Sequence, residues 1–259
     1  MDLLKTHKRR SRVSEAAYIF LNIGLAVALL VIVLIGQSPW LAIGVMLLSK
    51  WRALAVRPRF WFANLIANMV DIIVGVSTVV LLYGASGALW LQLALTMLYI
   101  VWLLFIKPRS RRSMVALQAG TAIFSGITAV SMISFGWDVA FFVLCMWVIG
   151  FVSVRHVLGS YDEPLATIYS LAGGALFAEY GWIGFHWMVA YGLPGFGTVQ
   201  LSQMALIATL FCFTAERAYA SYHRHSVVRR QDIMPAVLLT LGILVTMYVL
   251  ALINGIGTL

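Results

Sequence analysis

Residues 60–83 read FWFANLIANMVDIIVGVSTVVLLY and decide the fold class of the chain. The stretch holds one charged residue, Asp71, among largely apolar ones. A helix rises about 1.5 Å per residue, so about 20 apolar residues cross the ~30 Å hydrocarbon layer of a bilayer. Backbone polar groups in lipid must be satisfied within their own segment, so this stretch is predicted to be a membrane-spanning α-helix.

The rest of the chain has the same character. Of its 259 residues, 62% are hydrophobic and only 10% are charged, with a mean hydropathy of +0.96. Soluble domains carry about 25% charged residues, which help to cover their surface. The predicted fold class is therefore all-α, a polytopic integral membrane helix bundle. It forms a single transmembrane domain, residues 16–259, after a basic N-terminal segment, residues 1–15.

Nine segments are long and apolar enough to predict about nine transmembrane helices. They are roughly 16–36, 39–56, 60–83, 87–106, 114–133, 139–154, 165–190, 200–220 and 235–256. The first run is longer than the apolar run of a signal peptide, and no small-residue cleavage site follows it. It is therefore predicted to be a retained span.

The basic residues predict the orientation. With the N-terminus in the cytoplasm, all 18 Lys and Arg residues fall in inner segments or at inner helix ends, and the outer loops carry one charge, Asp138. Cytoplasmic loops are enriched in Lys and Arg, so this distribution predicts a cytoplasmic N-terminus and an outside C-terminus. Lys50 and Arg52 interrupt segment 39–56. A re-entrant half-helix there is the alternative, but it would move every later basic cluster to the outer side.

The net charge of +9 follows from these inner clusters, and the chain has no motif that reads nucleic acid, so nucleic acid is not a predicted partner. The expected partners are membrane lipids, together with further copies of the chain or other membrane subunits. The short loops predict the plasma (inner) membrane of a prokaryote as the location. Cys145 and Cys212 lack a second thiol or a His at metal-binding spacing, so neither a metal nor a cofactor is predicted.

Asp71 is the most informative polar residue. Asn64, Asn68 and Asp71 recur at positions i, i+4 and i+7, so they share one face of the third predicted helix. A carboxylate near the bilayer centre usually faces the bundle interior and has a partner. One interpretation is an ion or proton site, or a path for a polar solute. The other is a structural ion pair with Lys50 or Arg52 of the preceding antiparallel helix.

A second set of polar residues lies in the seventh predicted span. Glu179, Trp182 and His186 share one face at positions i, i+3 and i+7. Glu179 and His186 are candidates for proton transfer from the outer side. The alternative is that Trp182 and His186 belong to the interfacial belt and that Glu179 bonds to a neighbouring helix. Asp71 and Glu179 would form a two-carboxylate relay if the third and seventh helices touch.

Two further stripes have helical spacing. The fifth span carries a stripe of amide and hydroxyl side chains, Gln118, Thr121, Ser125 and Thr128. It either lines a water-filled path or forms hydrogen bonds between helices, and the second interpretation is favoured. The seventh span carries small residues at a spacing of four, Ser170, Gly174 and Ala178. This pattern is typical of close packing between helices.

Three hypotheses of function follow. The preferred one is a small permease or channel for an ion or polar solute, because several helices carry polar stripes. The second is a non-catalytic membrane subunit or scaffold of a larger assembly, since the short loops leave no soluble domain. The third is a membrane-embedded enzyme that modifies lipid or polyprenyl substrates with Asp71, Glu179 or the Asp162–Glu163 pair. It is less favoured, because the sequence lacks carboxylate pairs at metal-binding spacing, a phosphate-binding loop and an HExxH motif.

Overall fold

The computed structural model describes residues 12–36, 38–51, 55–187, 190–192 and 200–253. These residues contain nine α-helices: α1 (Arg12–Gly36), α2 (Pro39–Ser49), α3 (Trp61–Gly84), α4 (Leu89–Val101), α5 (Arg112–Ile133), α6 (Val139–Gly159), α7 (Ala166–His186), α8 (Gln203–His225) and α9 (Arg230–Ile253). A 3-10 turn, Pro58–Phe60, precedes α3, and a π-helix, Trp102–Ile106, extends α4. Two short strands, β1 (Ala190–Gly192) and β2 (Gln200–Ser202), pair antiparallel between α7 and α8. The predicted all-α fold class is confirmed.

The second predicted segment, 39–56, differs from the structure. Its helix begins at Pro39, whose ring is tolerated in a first helical turn, but it ends at Ser49. A helix of 11 residues is about 16 Å long, roughly half the hydrocarbon thickness. The prediction of a helix up to residue 56 is therefore wrong for the described residues of this segment. The helix stops where Lys50 meets Asp71, which lies near the middle of α3.

Six stretches of the described chain are long and apolar enough to cross a membrane. They are Ser14–Gly36, Pro58–Gly84, Leu89–Ile106, Arg112–Ile133, Val139–Gly159 and Arg230–Val249. Helices α7 and α8 are long enough but less apolar, because α7 contains Glu179 and α8 ends in a charged and polar segment. The chain is thus a multi-pass helical bundle, while the count of nine spans stays a prediction for α2, α7 and α8.

Two apolar clusters form the core. The first is built mainly from α1 to α4, with Leu29, Met46 and Leu103 among its fully buried side chains. The second joins α5, α6, α7 and α8, with Phe142 and Met204 at its centre. The packing of α3 against α5 connects the two clusters. The ion-pair residues found at the ends of α2 and α4 thus lie in the first half of the molecule.

Helices α6 and α7 form the closest pair in the bundle. A Cβ atom at Gly150 of α6 would lie 2.5 Å from Cγ of Phe177, and one at Gly174 of α7 would lie 2.9 Å from Nε1 of Trp147. Real Cβ atoms do not approach other heavy atoms so closely, so glycine is needed at Gly150 for the helices to pack as they do. Gly174, one of the small residues in the predicted stripe, therefore lies at this interface.

Polar contacts join neighbouring helices at one end of the bundle. Tyr18 near the start of α1 donates to the carbonyl oxygen of Leu103 at 3.1 Å, and Arg112 at the start of α5 donates to the carbonyl oxygen of Ser160 at 3.2 Å. We call this end the basic end, defined by the basic residues Lys107, Arg109, Arg111, Arg112, Arg155, Arg217, Arg224, Arg229 and Arg230. Its charges come from the ends of α4, α6 and α8 and from the starts of α5 and α9.

Candidate functional site

Asp71 lies near the middle of α3, and its side chain is only 10% exposed. Its carboxylate oxygen Oδ2 lies 2.6 Å from Nζ of Lys50 and 2.7 Å from Nζ of Lys107. Lys50 follows the last residue of α2, and Lys107 follows the π-helical end of α4. Three helices therefore bring one carboxylate and two ammonium groups together. An ionised group at bilayer depth needs such partners, because an unpaired charge away from water is costly.

The π-helix at the end of α4 shapes this site. The indole Nε1 of Trp102 donates to Oδ1 of Asp71 at 3.2 Å. Trp102 opens the π-helix, and the backbone N–H of Lys107 donates to the carbonyl oxygen of Trp102. This i to i−5 bond widens the helix by one residue, a feature that recurs at functional sites. It places Trp102 and Lys107 beside the same carboxylate.

Two ion-pair partners were predicted for Asp71. The structure places Lys50 beside the carboxylate, while Arg52 lies outside the described residues. Lys107 was missed, because its position at the end of the apolar run of α4 suggests the membrane surface rather than the depth of Asp71. The available signal was the length of the side chain, since a lysine at a helix end can extend along an apolar surface to reach a partner.

Asn64 and Asn68 precede Asp71 on α3 and are half-buried. Nδ2 of Asn68 donates to the carbonyl oxygen of Asn64 at 2.8 Å and lies 3.5 Å from its side-chain oxygen Oδ1. These two bonds stay within α3. Among the described residues no contact joins Asn68 to the carboxylate of Asp71, so the predicted stripe is a shared face of α3 and not a connected chain of hydrogen bonds.

Tyr99 is a further polar residue at this site that the sequence reasoning missed. It precedes Trp102 by three residues on α4, so the two share a helix face, and it is 3% exposed. Its hydroxyl lies within electrostatic reach of Asp71 and has no hydrogen-bond partner in the part of the chain that the structure describes. A buried hydroxyl without a partner costs about 1–3 kcal/mol. The site therefore contains an unused hydrogen-bonding group.

Glu179 and His186, the candidates on α7, lie in different surroundings. Both side chains are exposed. The ring of His186 packs against Trp182 with centroids 5.2 Å apart, whereas Glu179 has neither a hydrogen bond nor an ion pair within the described chain. Helix α7 packs against α6, and the residues beside Glu179 on its exposed face are apolar, with Leu176 65% and Trp182 56% exposed. Glu179 is thus a lone carboxylate on an apolar face.

The structure does not bring Asp71 and Glu179 together. Asp71 is buried among residues of α2, α3 and α4, while Glu179 faces outward from α7. Helix α6 packs against both α3 and α7. The conditional prediction of a two-carboxylate relay therefore has no direct contact to support it, because the apolar α6–α7 interface fixes the rotation of α7 so that Glu179 points away from the bundle.

The polar side chains of the stripe on α5 form two kinds of hydrogen bond, within the helix and between helices. The hydroxyls of Thr121, Ser125 and Thr128 donate to carbonyl oxygens of their own helix, four residues earlier. The favoured prediction of bonds between helices is therefore wrong for these three. Gln118 does bond across helices: its Nε2 donates to the carbonyl oxygen of Ile106 at 2.7 Å, and its Oε1 lies 2.7 Å from Nε2 of His156. Gln118 thereby holds the end of α4, which carries Lys107.

A separate cluster of tyrosines and carboxylates joins the α6–α7 turn to α8 at the basic end. The hydroxyl of Tyr161 donates to Oε1 of Glu216 at 3.3 Å, and that of Tyr219 donates to Oε2 of Glu163. The guanidinium of Arg112 lies 4.6 Å from the centroid of the Tyr161 ring. Burial, together with the Glu216 carboxylate, raises the pKa of the Tyr161 phenol, so it remains a donor at neutral pH. These contacts occupy the cluster with the chain's own groups.

The fold and the Asp71 site define a class: a multi-pass α-helical membrane protein with a buried charge cluster between three helices. No family model, curated protein or solved structure matches the chain. The functional assignment therefore depends on the geometry of its own residues.

Proposed function

We propose that the protein is a small permease or channel that moves an ion or a polar solute across a membrane, with Asp71 at the centre of its site. The observation that carries the proposal is the pair of lysines on one carboxylate: Lys50 at 2.6 Å and Lys107 at 2.7 Å from the same oxygen. A structural bridge between two helices needs only one of them. The second ammonium group adds a positive charge that such a bridge does not require.

Two features support a transport role for this cluster. The Lys107 side chain is 34% exposed, whereas those of Lys50 and Asp71 are 11% and 10% exposed, so Lys107 is the most accessible member of the cluster. The π-helix beside it is a helix irregularity of the kind that recurs at functional sites. Ionisable residues inside membrane segments commonly mark ion or solute pathways.

The proposal includes a location. The basic end is expected to face the cytoplasm, because cytoplasmic segments of membrane proteins are enriched in Lys and Arg. The N-terminus then lies inside and the C-terminus outside, in the plasma membrane of a prokaryotic cell. A solute would enter the site from the cytoplasm past Lys107.

Ion flux in proteoliposomes tests the proposal. Purified protein is reconstituted under imposed pH and voltage gradients, with an internal pH-sensitive dye for protons and radiolabelled potassium and chloride for the other ions. The key variant is Lys107→Gln, which leaves a balanced Lys50–Asp71 pair. We expect flux with the unchanged protein and a loss of about tenfold or more in the variant, the size expected when one charged hydrogen bond is lost.

The matched control is Arg109→Gln, which removes one exposed positive charge from the same end of the bundle. We expect its flux to remain within about twofold of the unchanged protein, because Arg109 does not contact Asp71 and exposed charges contribute little. A folded, monodisperse protein that conducts no ion would contradict ion transport and confine the proposal to an uncharged polar solute. Equal losses in both variants would assign the effect to surface charge rather than to the site.

The exposed face of α7 favours a second candidate, a membrane subunit of a larger assembly. A carboxylate facing lipid without a partner is costly. Glu179 lies on such a face, between Leu176 and Trp182, and makes no hydrogen bond or ion pair within the described residues. A neighbouring membrane helix with a donor group at the depth of Glu179 would remove this cost. Helix α7 would then be the contact with the neighbour.

A further inference from the structure

The charge cluster around Asp71 is unbalanced. Two ammonium groups contact one carboxylate oxygen, which leaves one positive charge in excess. The second carboxylate oxygen accepts from Trp102, a neutral donor that adds no compensating charge. Lys50 and Asp71 are almost fully buried, so the net positive charge acts on surroundings that screen it little.

No other carboxylate in the described residues supplies the missing negative charge. The remaining described acidic residues contact other groups or face outward: Glu15, Asp138, Asp162, Glu163, Glu179, Glu216 and Asp232. Among them Glu163 accepts from Tyr219, Glu216 accepts from Tyr161, and Asp232 accepts from Ser221. None of these carboxylates forms an ion pair with Lys50 or Lys107. The excess charge calls for an anion from outside this part of the chain.

The Tyr99 hydroxyl provides a further donor at the same place. It is buried on the face of α4 that carries Trp102, lies within electrostatic reach of Asp71, and has no hydrogen-bond partner in the described chain. A phenolic hydroxyl can donate one hydrogen bond to an anion. The Asp71 cluster therefore offers two ammonium groups, with one buried hydroxyl that lacks a partner on the neighbouring face of α4.

We infer that the solute of this site is a small monovalent anion, a halide or a monocarboxylate, held by Lys50, Lys107 and Tyr99. This inference rests on the proposed transport function and specifies its substrate class. One excess positive charge is balanced by one negative charge, so a monovalent anion leaves the occupied site neutral. Lys107 is the mobile member, because its side chain is 34% exposed and its stem is flexible. It exchanges Oδ2 of Asp71 for the anion and releases the anion toward the basic end.

The test measures anion uptake by proteoliposomes at a clamped membrane potential. The probes are radiolabelled chloride and radiolabelled pyruvate, a monocarboxylate that is almost fully ionised at neutral pH. The two arms distinguish a halide from a carboxylate ligand. The unchanged protein is compared with Tyr99→Phe, which removes one buried hydroxyl and keeps every charge. Arg109→Gln again serves as the surface-charge control.

We expect saturable uptake of at least one probe by the unchanged protein. Tyr99→Phe should raise the half-saturation concentration about tenfold to a hundredfold, the range expected for losing a hydrogen bond to a charged group. Lys107→Gln should abolish the uptake. Because removal of an unpaired buried hydroxyl does not disturb packing, the Tyr99→Phe result remains informative even if a lysine variant fails to fold.

Three outcomes would overturn the inference. Proton or potassium flux without uptake of either anion would refute the anion while leaving the proposed transport function intact. Anion uptake that is unchanged in both Tyr99→Phe and Lys107→Gln would place the anion elsewhere. No flux of any ion by the folded protein would refute the inference together with the ion-transport form of the proposed function, which would then be confined to an uncharged polar solute.

Discussion

Asp71 and Glu179 are both carboxylates within long, largely apolar helices, yet their surroundings are opposite. Asp71 is 10% exposed and contacts Lys50, Lys107 and Trp102 within 3.2 Å. Glu179 is exposed and makes no hydrogen bond or ion pair with the described residues. The first is satisfied inside the chain, and the second can be satisfied only by something else.

The difference shows that helical spacing alone does not predict the role of a charged residue in a membrane helix. Both carboxylates belong to polar stripes of similar appearance in the sequence. Neighbouring helices set the contacts of each carboxylate. Helices α2 and α4 end beside Asp71, whereas α6 packs on the glycine-rich face of α7 that lies opposite Glu179.

The largest expected effect is the loss of the Asp71 charge. Asp71→Asn keeps the shape of the side chain but leaves Lys50 and Lys107 without a counter-ion. Breaking a buried ion pair in this way costs about 3–5 kcal/mol. Thermal unfolding of the purified protein in mild detergent should therefore show a clear fall in melting temperature.

The matched control is Glu179→Gln, the same chemical change on the exposed face of α7. It should alter the stability of the isolated protein by no more than about 0.5 kcal/mol, because no described group pairs with Glu179. Equal melting temperatures for the two variants would show that Asp71 and Glu179 do not differ as the contacts indicate.

An intermediate effect is expected at the α6–α7 interface, which turns Glu179 outward. Gly150→Ala would place a Cβ atom 2.5 Å from Cγ of Phe177. Overpacking of this kind typically costs about 1–3 kcal/mol. Gly120→Ala on α5 is the control, since nothing lies within 4 Å of its Cβ position. It should be neutral or stabilise by up to about 1 kcal/mol, because Ala favours helix more than Gly does.

Thermal unfolding of both glycine variants provides the measurement. A stable Gly150→Ala protein would indicate that α6 and α7 are not packed as closely as the structure places them. The orientation of Glu179 would then lose its explanation. A destabilised Gly120→Ala protein would point to a contact on α5 outside the described part of the chain.

The smallest effect on the isolated protein, and the sharpest test of Glu179, concerns partners. If Glu179 bonds to a neighbouring membrane helix, proteins that co-purify in stoichiometric amount in mild detergent should be lost from Glu179→Gln preparations while the melting temperature of the chain stays unchanged. His186→Gln, at the end of the same helix, is the companion variant. A single monodisperse species before and after substitution would argue against the assembly and would leave Glu179 without a role.

Much of the fold was predictable from the sequence. The apolar segments predicted an all-α membrane bundle, and the bounds of α3 and α5 lie within two residues of the predicted ones. Segment 39–56 was the main departure. A lysine at position 50 fits two predictions equally well: a spanning helix whose inner end extends a long basic side chain to the interface, and a helix that ends there. The hydroxyls on α5 were also misjudged: Ser and Thr can bond to their own helix, and spacing does not reveal which choice they make.

At the candidate site, Asp71 and its partner Lys50 could be predicted from the helical spacing of polar residues and from the antiparallel order of α2 and α3. Lys107, Trp102 and Tyr99 were not, because their position depends on the π-helix at the end of α4, which shifts the register of the last turn. A π-helix is a rare single-turn irregularity within an α-helix, and the spacing of apolar residues did not predict it here. Gln118 also helps to hold this last turn in place, because its Nε2 donates to the carbonyl oxygen of Ile106.

The sequence by itself determined that this protein suits a lipid environment, the number and rough limits of its helices, and the presence of a costly carboxylate in α3. These features follow from the length of each apolar segment and from the free-energy cost of a charged group in lipid, which are properties of single segments. Only the tertiary structure decided that two lysines share Asp71 and that Glu179 has no partner among the described residues. Those results depend on which helices pack together and at what rotation, and packing depends on contacts between segments that are distant in sequence.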